Sequence, residues 1–511
     1  MNPLRIAFRT DANQQIGTGH FMRCLTLADE MRRSADDICF VAKALPLYLQ
    51  QMLTERGFQY IALPETKVTQ QTDELPHAAW LTTSQAKDAE QTLAVLGAST
   101  WDWLVVDHYA LDHRFETSLR TLCKHVMAID DLADRVHNCD VLLDQNYCED
   151  QAQRYIGKVP AHCRLMLGPS FALLRPEFKA TRDKVQVRTG KVNNILVFFG
   201  GVDADNLTGQ VLDMLIRLNL VVQVNVVIGN QHPQKEMIQL LCKQHSYICH
   251  VQTNQMASLM AEADLAIGAG GTAVWERCSM GLPSVCIVTA ENQRQQLQYL
   301  QSAGLVVTPT NQEDTISFLS SYLKCLGTSS SSRQVQSQRM MALVDGRGID
   351  KVANILKAHA IQIRLAEAKD AHAIFQWRNH PWVKNHSGNK QEIDWDEHRQ
   401  WFEQRLLKNS GPILIGEIND KAVGVVRFDI SNDEASVSIY LVPDAGFKGW
   451  GGCLLNQAES WLRQHHPEVA KLHAQVMPNN EASKKLFAKL SYTSTISKAQ
   501  LEFVKDLEAY T

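Results

Sequence analysis

The stretch LRIAFRTDANQQIGTGHFMRCLTLADEM, Leu4 to Met31, leaves this chain few ways to begin folding. Leu4 to Phe8 runs apolar like a short buried strand, and Ile16-Gly17-Thr18-Gly19 makes a tight glycine loop. From Phe21 onward the apolar residues Phe21, Cys24, Leu25, Leu27, Ala28 and Met31 recur at helical spacing. A strand, a glycine loop and a helix in that order open an α/β sheet, whose ligands sit where strands end and helices begin. His20 stands at the mouth of the helix. A neutral imidazole in such a crevice accepts a proton near pH 7, which few side chains can do. Taken alone, His20 serves equally well as a helix cap or a partner for a backbone carbonyl.

The alternation continues. Ile38–Ala42, Trp103–Val106, His125–Ile129 and Val141–Leu143 are further short apolar strands, each separated by helical stretches, up to about residue 185. A second series starts at Asn194 with ILVFFGG and runs through VVQVNVVIG, ICHVQ, ADLAIGAGG, PSVCIV and AGLVVTPT. Both series are expected to form parallel sheets covered on two faces, giving two Rossmann-like halves, residues 1–185 and 186–358, with a cleft between them. The serine run Ser329–Ser332 leads into a helical stretch with MMALVDGRGIDKVANIL that closes the second half, and reads as a flexible linker. From Ile361 the pattern changes. IQIRLA, a Trp- and His-rich helical part, then ILIGEI, AVGVVRFDI and ASVSIYLVP precede a glycine loop and a helix, an α+β arrangement that makes residues 361–511 a separate domain.

At 511 residues the chain is long enough for two or three domains, and its net charge of −4 carries no electrostatic footprint for nucleic acid. No apolar run reaches the length of a membrane span. Twelve cysteines occur without a CxxC pair, which reads as reduced thiols in a cytoplasmic protein with no disulfide framework and no zinc site. The oligomeric state is open.

Three features converge with His20. Asp107-His108-Tyr109 ends the apolar strand WLVVDHY, placing polar groups at the cleft mouth. Gly200-Gly201-Val202-Asp203 ends ILVFFGG, with Asn206 at the start of the next helix. Gly268-Ala269-Gly270-Gly271-Thr272 leads into AVWERCSMGLPSV. Glycines before a helix let backbone amides face a phosphate, and Glu276, one turn further, is placed to accept hydrogen bonds from a ribose diol. Asp130, Asp131, Asp134 and Arg135 are expected to form a surface loop with local ion pairs.

With these residues in view, GGxD, GAGGxxxWERCxxGLPSVCIV and Glu291-Asn292-Gln293 resemble the C-terminal half of a GT-B glycosyltransferase fold. FRTDANQQIGTGHFMRCLTLA, with DHY and ENQ, resembles the hydrolases that act on UDP-2,4-diacetamido-2,4,6-trideoxy-β-L-altropyranose in pseudaminic acid biosynthesis. The resemblance covers nearly all of residues 1–358. It implies UDP bound by the second half through Gly201, Asn206, Gly270, Gly271, Thr272 and Glu276. It further implies a histidine base at His20 in the first glycine loop and Tyr109 and Asn292 lining the sugar, with Asp11, Gly17, Gly19 and Gln293 as further substrate- or UDP-binding candidates. Arg9 is expected to add positive potential for the diphosphate. Water displacing UDP on the opposite face would invert the anomeric centre, and no residue cluster has metal-ligand spacing. The rival is a glycosyltransferase of the same fold that moves the sugar to an acceptor hydroxyl.

In the last domain, VSIYLVPDAGFKGWGGCLLNQAESWL and KLHAQVMPNNEASKKLFAKLSY resemble the acetyl-CoA-binding motifs of the GNAT N-acetyltransferase superfamily. The resemblance implies acetyl-CoA held at the strand end Leu441-Val442, at Lys448, Gly449, Gly451 and Gly452, and at Asn480 and Ser483. Two departures stand out: Gly446 replaces the first Arg or Gln, and Phe487 replaces the tyrosine that often protonates the leaving thiolate. That role is then vacant or filled by another group, and Tyr492 belongs to the core. Arg378 and His398 are the acceptor-site candidates from a stretch with Trp377, Asn379, Trp401 and Phe402, the last two being read as core. The simplest combined reading is a bifunctional enzyme whose C-terminal domain acetylates the 4-amino sugar that the N-terminal part then releases from UDP. The alternatives for that domain are another amine acceptor or a sensor of acetyl-CoA.

Overall fold

The structure, a computed structural model, describes residues 4–13, 15–32, 35–43, 45–64, 73–309, 314–325, 330–387, 391–407, 411–445, 449–497 and 500–507. Two compact units emerge, one formed for the most part by residues 6–351 and the other for the most part by 352–511.

The larger unit holds two parallel sheets. The first is built from β1 (Leu4–Thr10), β2 (Ala35–Ala42), β3 (Gln59–Ala62), β4 (Trp101–Asp107), β5 (Cys123–Ile129), β6 (Val141–Asp144) and β7 (Arg164–Leu167), in the order β3-β2-β1-β4-β5-β6-β7. Every residue of β4 is buried, as expected of a central strand covered on both faces. The strand order reverses between β1 and β4, where open sheets form their ligand crevice. Register there pairs Thr10 with Asp107, so the loop carrying His20 leaves the sheet beside the Asp107 carboxyl. The helix Gly19–Met31 follows, with Phe21, Cys24, Leu25, Leu27, Ala28 and Met31 all buried.

The second sheet comprises β8 (Asn194–Phe198), β9 (Gln223–Ile228), β10 (Ile248–Val251), β11 (Leu265–Ala269) and β12 (Ser284–Ile287), ordered β10-β9-β8-β11-β12 with parallel pairing throughout. Successive strand residues point to opposite faces. Ile195, Val197, Ile267 and Val285 enter one core, while Leu196, Ala266 and Cys286 enter another. The chain ahead of residue 186 joins the second of these, since Ala172, Leu174 and Phe178 pack with Leu196, Met260 and Trp275.

Two expectations change here. In its described part, residues 303–309, AGLVVTPT makes no strand, only an isolated bridge between Val285 and Val307. Leu305 and Val306 turn into the core, the Thr308 amide donates to Gln301 Oε1 at 2.9 Å, and Pro309 has no N–H to extend a ladder. The serine run is not a linker in its described part, because Ser330–Ser332 form the first turn of the helix Ser330–Leu343.

The smaller unit holds a mixed sheet of β13 (Gln362–Leu365), β14 (Ile413–Ile418), β15 (Lys421–Ser431), β16 (Glu434–Leu441), β17 (Lys471–Val476), β18 (Thr493–Ser497) and β19 (Gln500–Asp506). Its order is β13-β14-β15-β16-β17-β19-β18. The first four strands form the antiparallel meander expected from sequence. β16 and β17 are parallel and pair only from Glu434–Lys471 to Ser436–His473, after which they part. No helix among the described residues is long and apolar enough to cross a membrane.

Close backbone approach explains one glycine. A Cβ on Gly229, after β9, would lie 2.0 Å from the carbonyl oxygen of Gly201, whereas a Cβ on Gly201 meets nothing within 4 Å. Gly229→Ala is expected to cost roughly 1–3 kcal/mol in urea denaturation, and Gly201→Ala to stay within about 0.5 kcal/mol of the parent.

Candidate functional site

His20, 8% exposed, points Nδ1 at Asp107 Oδ1 over 2.6 Å. Arg23, one turn further along the same helix, donates to Asp107 through Nε at 2.6 Å and Nη2 at 2.7 Å. A heavy-atom contact of 2.6 Å requires a proton between the His20 nitrogen and the carboxylate. Burial opposes the charge on Asp107, but Arg23 and then His20 more than offset it and hold the carboxyl well below the usual carboxylate range. The proton therefore belongs to Nδ1, and in the neutral ring Nε2 is the acceptor. Such an arrangement can take a proton from water or a hydroxyl.

Asp131 extends the cluster. It pairs with Arg23 Nη1 at 2.8 Å and accepts from Tyr109 Oη at 2.5 Å. The Tyr109 ring meets His20 edge-on, with centroids 4.5 Å apart, and stacks on Trp80 at 5.4 Å. His77 closes the wall, 4.7 Å from Trp80 and 5.2 Å from Tyr109. Sequence reasoning missed Arg23, Trp80 and His77. Arg23 was detectable as a residue three positions after His20 on one helix face, while the 77–80 segment comes from far along the chain.

Several expected ligands turn out to be committed elsewhere. Arg9 is fully buried and bonded to Asp88 at 2.9 and 2.8 Å and to Asp11 at 2.7 and 3.0 Å, so it brings no charge to the cleft. Asp11 also accepts the Lys43 amide at 2.8 Å and lies 3.1 Å from His108 Nε2. Both residues tie strand ends together. Gly17, at φ 76°, makes the turn in which its amide donates to the Asn13 carbonyl. Around Gly19 a Cβ would meet nothing within 4 Å. Nor do Asp130 and Arg135 lie on the surface. Both are buried and paired at 3.0 Å, and Asp131 belongs to the His20 cluster.

In the second half, Asn206 is a helix cap rather than a ligand: its Oδ1 accepts the Gly209 amide and its Nδ2 donates to Gln234. Asp203 caps the same helix through the amides of Leu207 and Thr208. The Gly268–Thr272 loop lies at the other switch point, where Phe198 pairs with Gly268. Among the described residues no acceptor takes the amides of Gly271, Thr272 or Ala273. Gln293 sits over this loop, its Nε2 3.6 Å from a Cβ built on Gly271, and is held by Thr289. The side chain of Asn292 lies outside the described residues. Glu276 receives Arg175 Nη2 at 3.1 Å through Oε1. Among the described residues no group of three or more His, Cys, Asp or Glu is arranged to hold a metal ion.

In the smaller unit a cavity of about 830 Å³ opens where β16 and β17 part, lined by Ser436–Tyr440 and Gln475–Pro478. Arg378, His398, Asn480, Ser483 and Phe487 all line it, as do Trp382, Trp401, Arg427 and Tyr440, which the sequence did not single out as ligands. His398 is nevertheless built into the core. Its Nε2 lies 3.1 Å from the Ala371 carbonyl, its ring packs on Phe402, and burial pushes its pKa down. Phe402 is core as expected, but Trp401 is 39% exposed beneath Arg427. Asn379 clamps Ile393 through both ends of its amide. Tyr492 donates to Glu459 at 2.8 Å, confirming it as core, and Phe487 packs against it. Asn480 caps the helix Glu481–Lys489 by accepting the Ser483 amide. The Val442 amide is taken by the Val423 carbonyl, and Leu441 pairs with Gly424. Gly449 adopts φ 91°, and Gly451 and Gly452 open the helix Gly451–His465, whose N-cap residue Trp450 makes no side-chain cap. Gly446 and Lys448 lie outside the described residues.

Comparison with known proteins matches residues 194–346 to the glycosyltransferase family 28 C-terminal domain and residues 361–493 to the acetyltransferase (GNAT) domain. The chain joins a family 28 C-terminal domain to a GNAT domain. An uncharacterized protein of Methanocaldococcus jannaschii is 25% identical over 529 residues, covering 99% of this chain and 100% of its own. The UDP-2,4-diacetamido-2,4,6-trideoxy-beta-L-altropyranose hydrolase of Campylobacter jejuni is 25% identical over 307 residues, covering 60% of this chain and 98% of its own. The spore coat polysaccharide biosynthesis protein SpsG of Bacillus subtilis is 25% identical over 367 residues, covering 69% and 98%. The family 28 domain thus contains the Gly268–Thr272 loop and Glu276, and the GNAT domain contains the cavity.

The buried Arg9 pair is a structural element with a measurable weight. Asp88→Ala strips one of two carboxylates from a guanidinium with no access to water, and is expected to cost about 3–5 kcal/mol in urea denaturation.

Proposed function

We propose that residues 1–358 hydrolyse UDP-2,4-diacetamido-2,4,6-trideoxy-β-L-altropyranose, and that residues 361–511 use acetyl-CoA to acetylate the 4-amino group of its precursor. The observation that carries the first half is the buried His20–Asp107–Arg23 cluster at the sheet's switch point, with Nε2 as the ring's free acceptor. The likeness to a hydrolase of that name, matched over 98% of its length, supports the substrate.

In this reading His20 Nε2 takes a proton from a water whose oxygen bonds to the anomeric carbon. The bond from that carbon to the diphosphate oxygen breaks, UDP leaves with the electron pair, and the anomeric centre inverts. Asp107 steadies the imidazolium that forms, as a fixed carboxylate beside Nδ1. The amides of Gly271, Thr272 and Ala273 face the diphosphate, with Gly201 and Gly270 at the loop bases, Glu276 accepts from the ribose, and Tyr109, Asn292 and Gln293 surround the sugar.

For the second half, acetyl-CoA supplies an activated acyl group. The parted strands fit its arm: beyond Ser436, β16 has no strand partner on its β17 side among the described residues, so its backbone N–H and C=O groups can pair with the amides of an extended ligand. The first-turn amides of the helix Gly451–His465, beside Gly449, Gly451 and Gly452, suit the pyrophosphate. Leu441, Ser483, Asn480 and Lys448 complete the reading. Arg378 and His398 border the acceptor side, where a neutral amine attacks the thioester carbonyl: the C–N bond forms, the C–S bond breaks, and the CoA thiolate leaves and takes up the proton the amine loses, directly or through solvent, since Phe487 donates none.

His20→Ala is expected to lower UDP release by about 10²–10⁴-fold while acetyl transfer is unchanged, measured by chromatography of nucleotide and acetylated sugar; unchanged release would remove His20 as the base. A Cβ on Gly451 meets only Leu486, at 3.7 Å. Gly451→Leu is therefore expected to keep the thermal midpoint but weaken acetyl-CoA binding more than about tenfold by calorimetry, at 1.4 kcal/mol per decade, and retained affinity would sink that assignment.

A further inference from the structure

One hydroxyl in the larger unit serves two carboxylates. Tyr155 Oη lies 3.0 Å from Asp130 Oδ2 and 3.0 Å from Asp144 Oδ2, and all three residues are buried. Both separations are hydrogen bonds, yet a phenol carries a single proton. If both carboxylates were ionised, one contact would set two lone pairs against each other without a proton between them.

The two acids are unequally served. Asp130 accepts the amides of Asp131, Leu132 and Ala133 at 2.9, 3.2 and 2.9 Å and pairs with Arg135 at 3.0 Å, with His137 Nε2 at 3.6 Å. It is fully supplied as an anion. Asp144 has the Asn146 amide at 2.9 Å and Arg154 Nε at 3.2 Å. Against these donors stand its burial and the neighbouring charges of Asp131 and Asp130. The extra proton therefore has one place to go. Asp144 donates it to Tyr155 Oη, and Tyr155 donates its own to Asp130.

This chain borders the His20 cluster. The loop that Asp130 organises carries Asp131, which holds Arg23 and Tyr109. Asn146, next to Asp144, donates to Asp131 Oδ1 at 2.9 Å, and Arg154 donates to the Asp131 carbonyl at 2.6 Å. We propose that Asp144 keeps its proton well above the usual carboxylate range, up to near-neutral pH, and that the bridged pair Asp144–Tyr155–Asp130 seats the 130–134 loop, making Asp144 a positioning residue for the His20 cluster. Burial, opposed by Arg154 and aided by Asp131, lifts the Asp144 carboxyl to about 7, in keeping with this assignment.

The test needs no enzymatic activity, so its failure is separate from any failure of the hydrolase reading. In the full chain labelled with ¹³Cγ-aspartate, one aspartate carboxyl is expected to titrate near neutrality, and the signal should vanish in Asp144→Asn. A folded pKa above the unfolded one gives stability that is present below about pH 4 and lost as pH rises through about 7. The thermal midpoint of the parent should accordingly fall against that of Asp144→Asn between pH 5 and pH 8. Should Asp144→Asn fail to fold, Tyr155→Phe must shift the titrating signal. Aspartates that are all ionised from pH 5 upward, a neutral titration that survives Asp144→Asn or ignores Tyr155→Phe, or a constant gap between the two midpoints would overturn the proposal.

Discussion

The Asp107 carboxylate, sealed at the end of β4, is the contact on which the chemistry proposed for the first half depends. A lone carboxyl at that depth would keep its proton and would then be a poor orienter for an imidazole. Arg23 prevents this with two hydrogen bonds of 2.6 and 2.7 Å, leaving Asp107 anionic beside His20 Nδ1. The same guanidinium reaches Asp131, and Asp131 fixes the Tyr109 hydroxyl. Five polar side chains from a helix, a strand end and two loops are thereby locked, with Nδ1 of His20 committed to Asp107.

Topology explains why those groups meet. The first sheet reverses its strand order between β1 and β4, and the second between β8 and β11. Each reversal leaves a crevice at the strand ends, one furnished with a histidine and the other with glycine amides. The smaller unit parts two parallel strands after three residue pairs, and a cavity opens between them. A chain with these devices can run one reaction that needs a base and an anion seat and another that needs an extended groove. The proposed chemistry uses them in sequence on one sugar.

Periodicity made most of the architecture legible. Unbroken apolar runs such as WLVVD and ILVF became central strands because a strand buried on both faces needs no polar alternation. His20 stood out because a glycine loop and an apolar helix bracket it. What stayed hidden were charges that fold inward. Arg9 and Asp11 look like cleft residues in a sequence, but a guanidinium matched by two buried carboxylates is more stable as a strap than as a ligand. Asp130 and Arg135 read as a surface loop for the same reason, since nothing local reveals that Asp130 will meet Tyr155 and Arg135 the Leu111 carbonyl in the interior. Asn206 resembled a phosphate contact and became a cap, a role its side chain fills with equal ease. Trp80 and His77 gave no signal at all, because their meaning lies in a contact with Tyr109 that only the folded chain supplies.

The central claim is that water attacks the anomeric carbon under the control of His20. Its most direct test is turnover of UDP-2,4-diacetamido-2,4,6-trideoxy-β-L-altropyranose by the full chain in ¹⁸O-labelled water, with mass spectrometry of both products. The account predicts the label on the sugar hydroxyl and none on UDP. Label on the UDP phosphate would place the cleavage at phosphorus, and no release of UDP without an added acceptor would make this half a transferase; either result would contradict it.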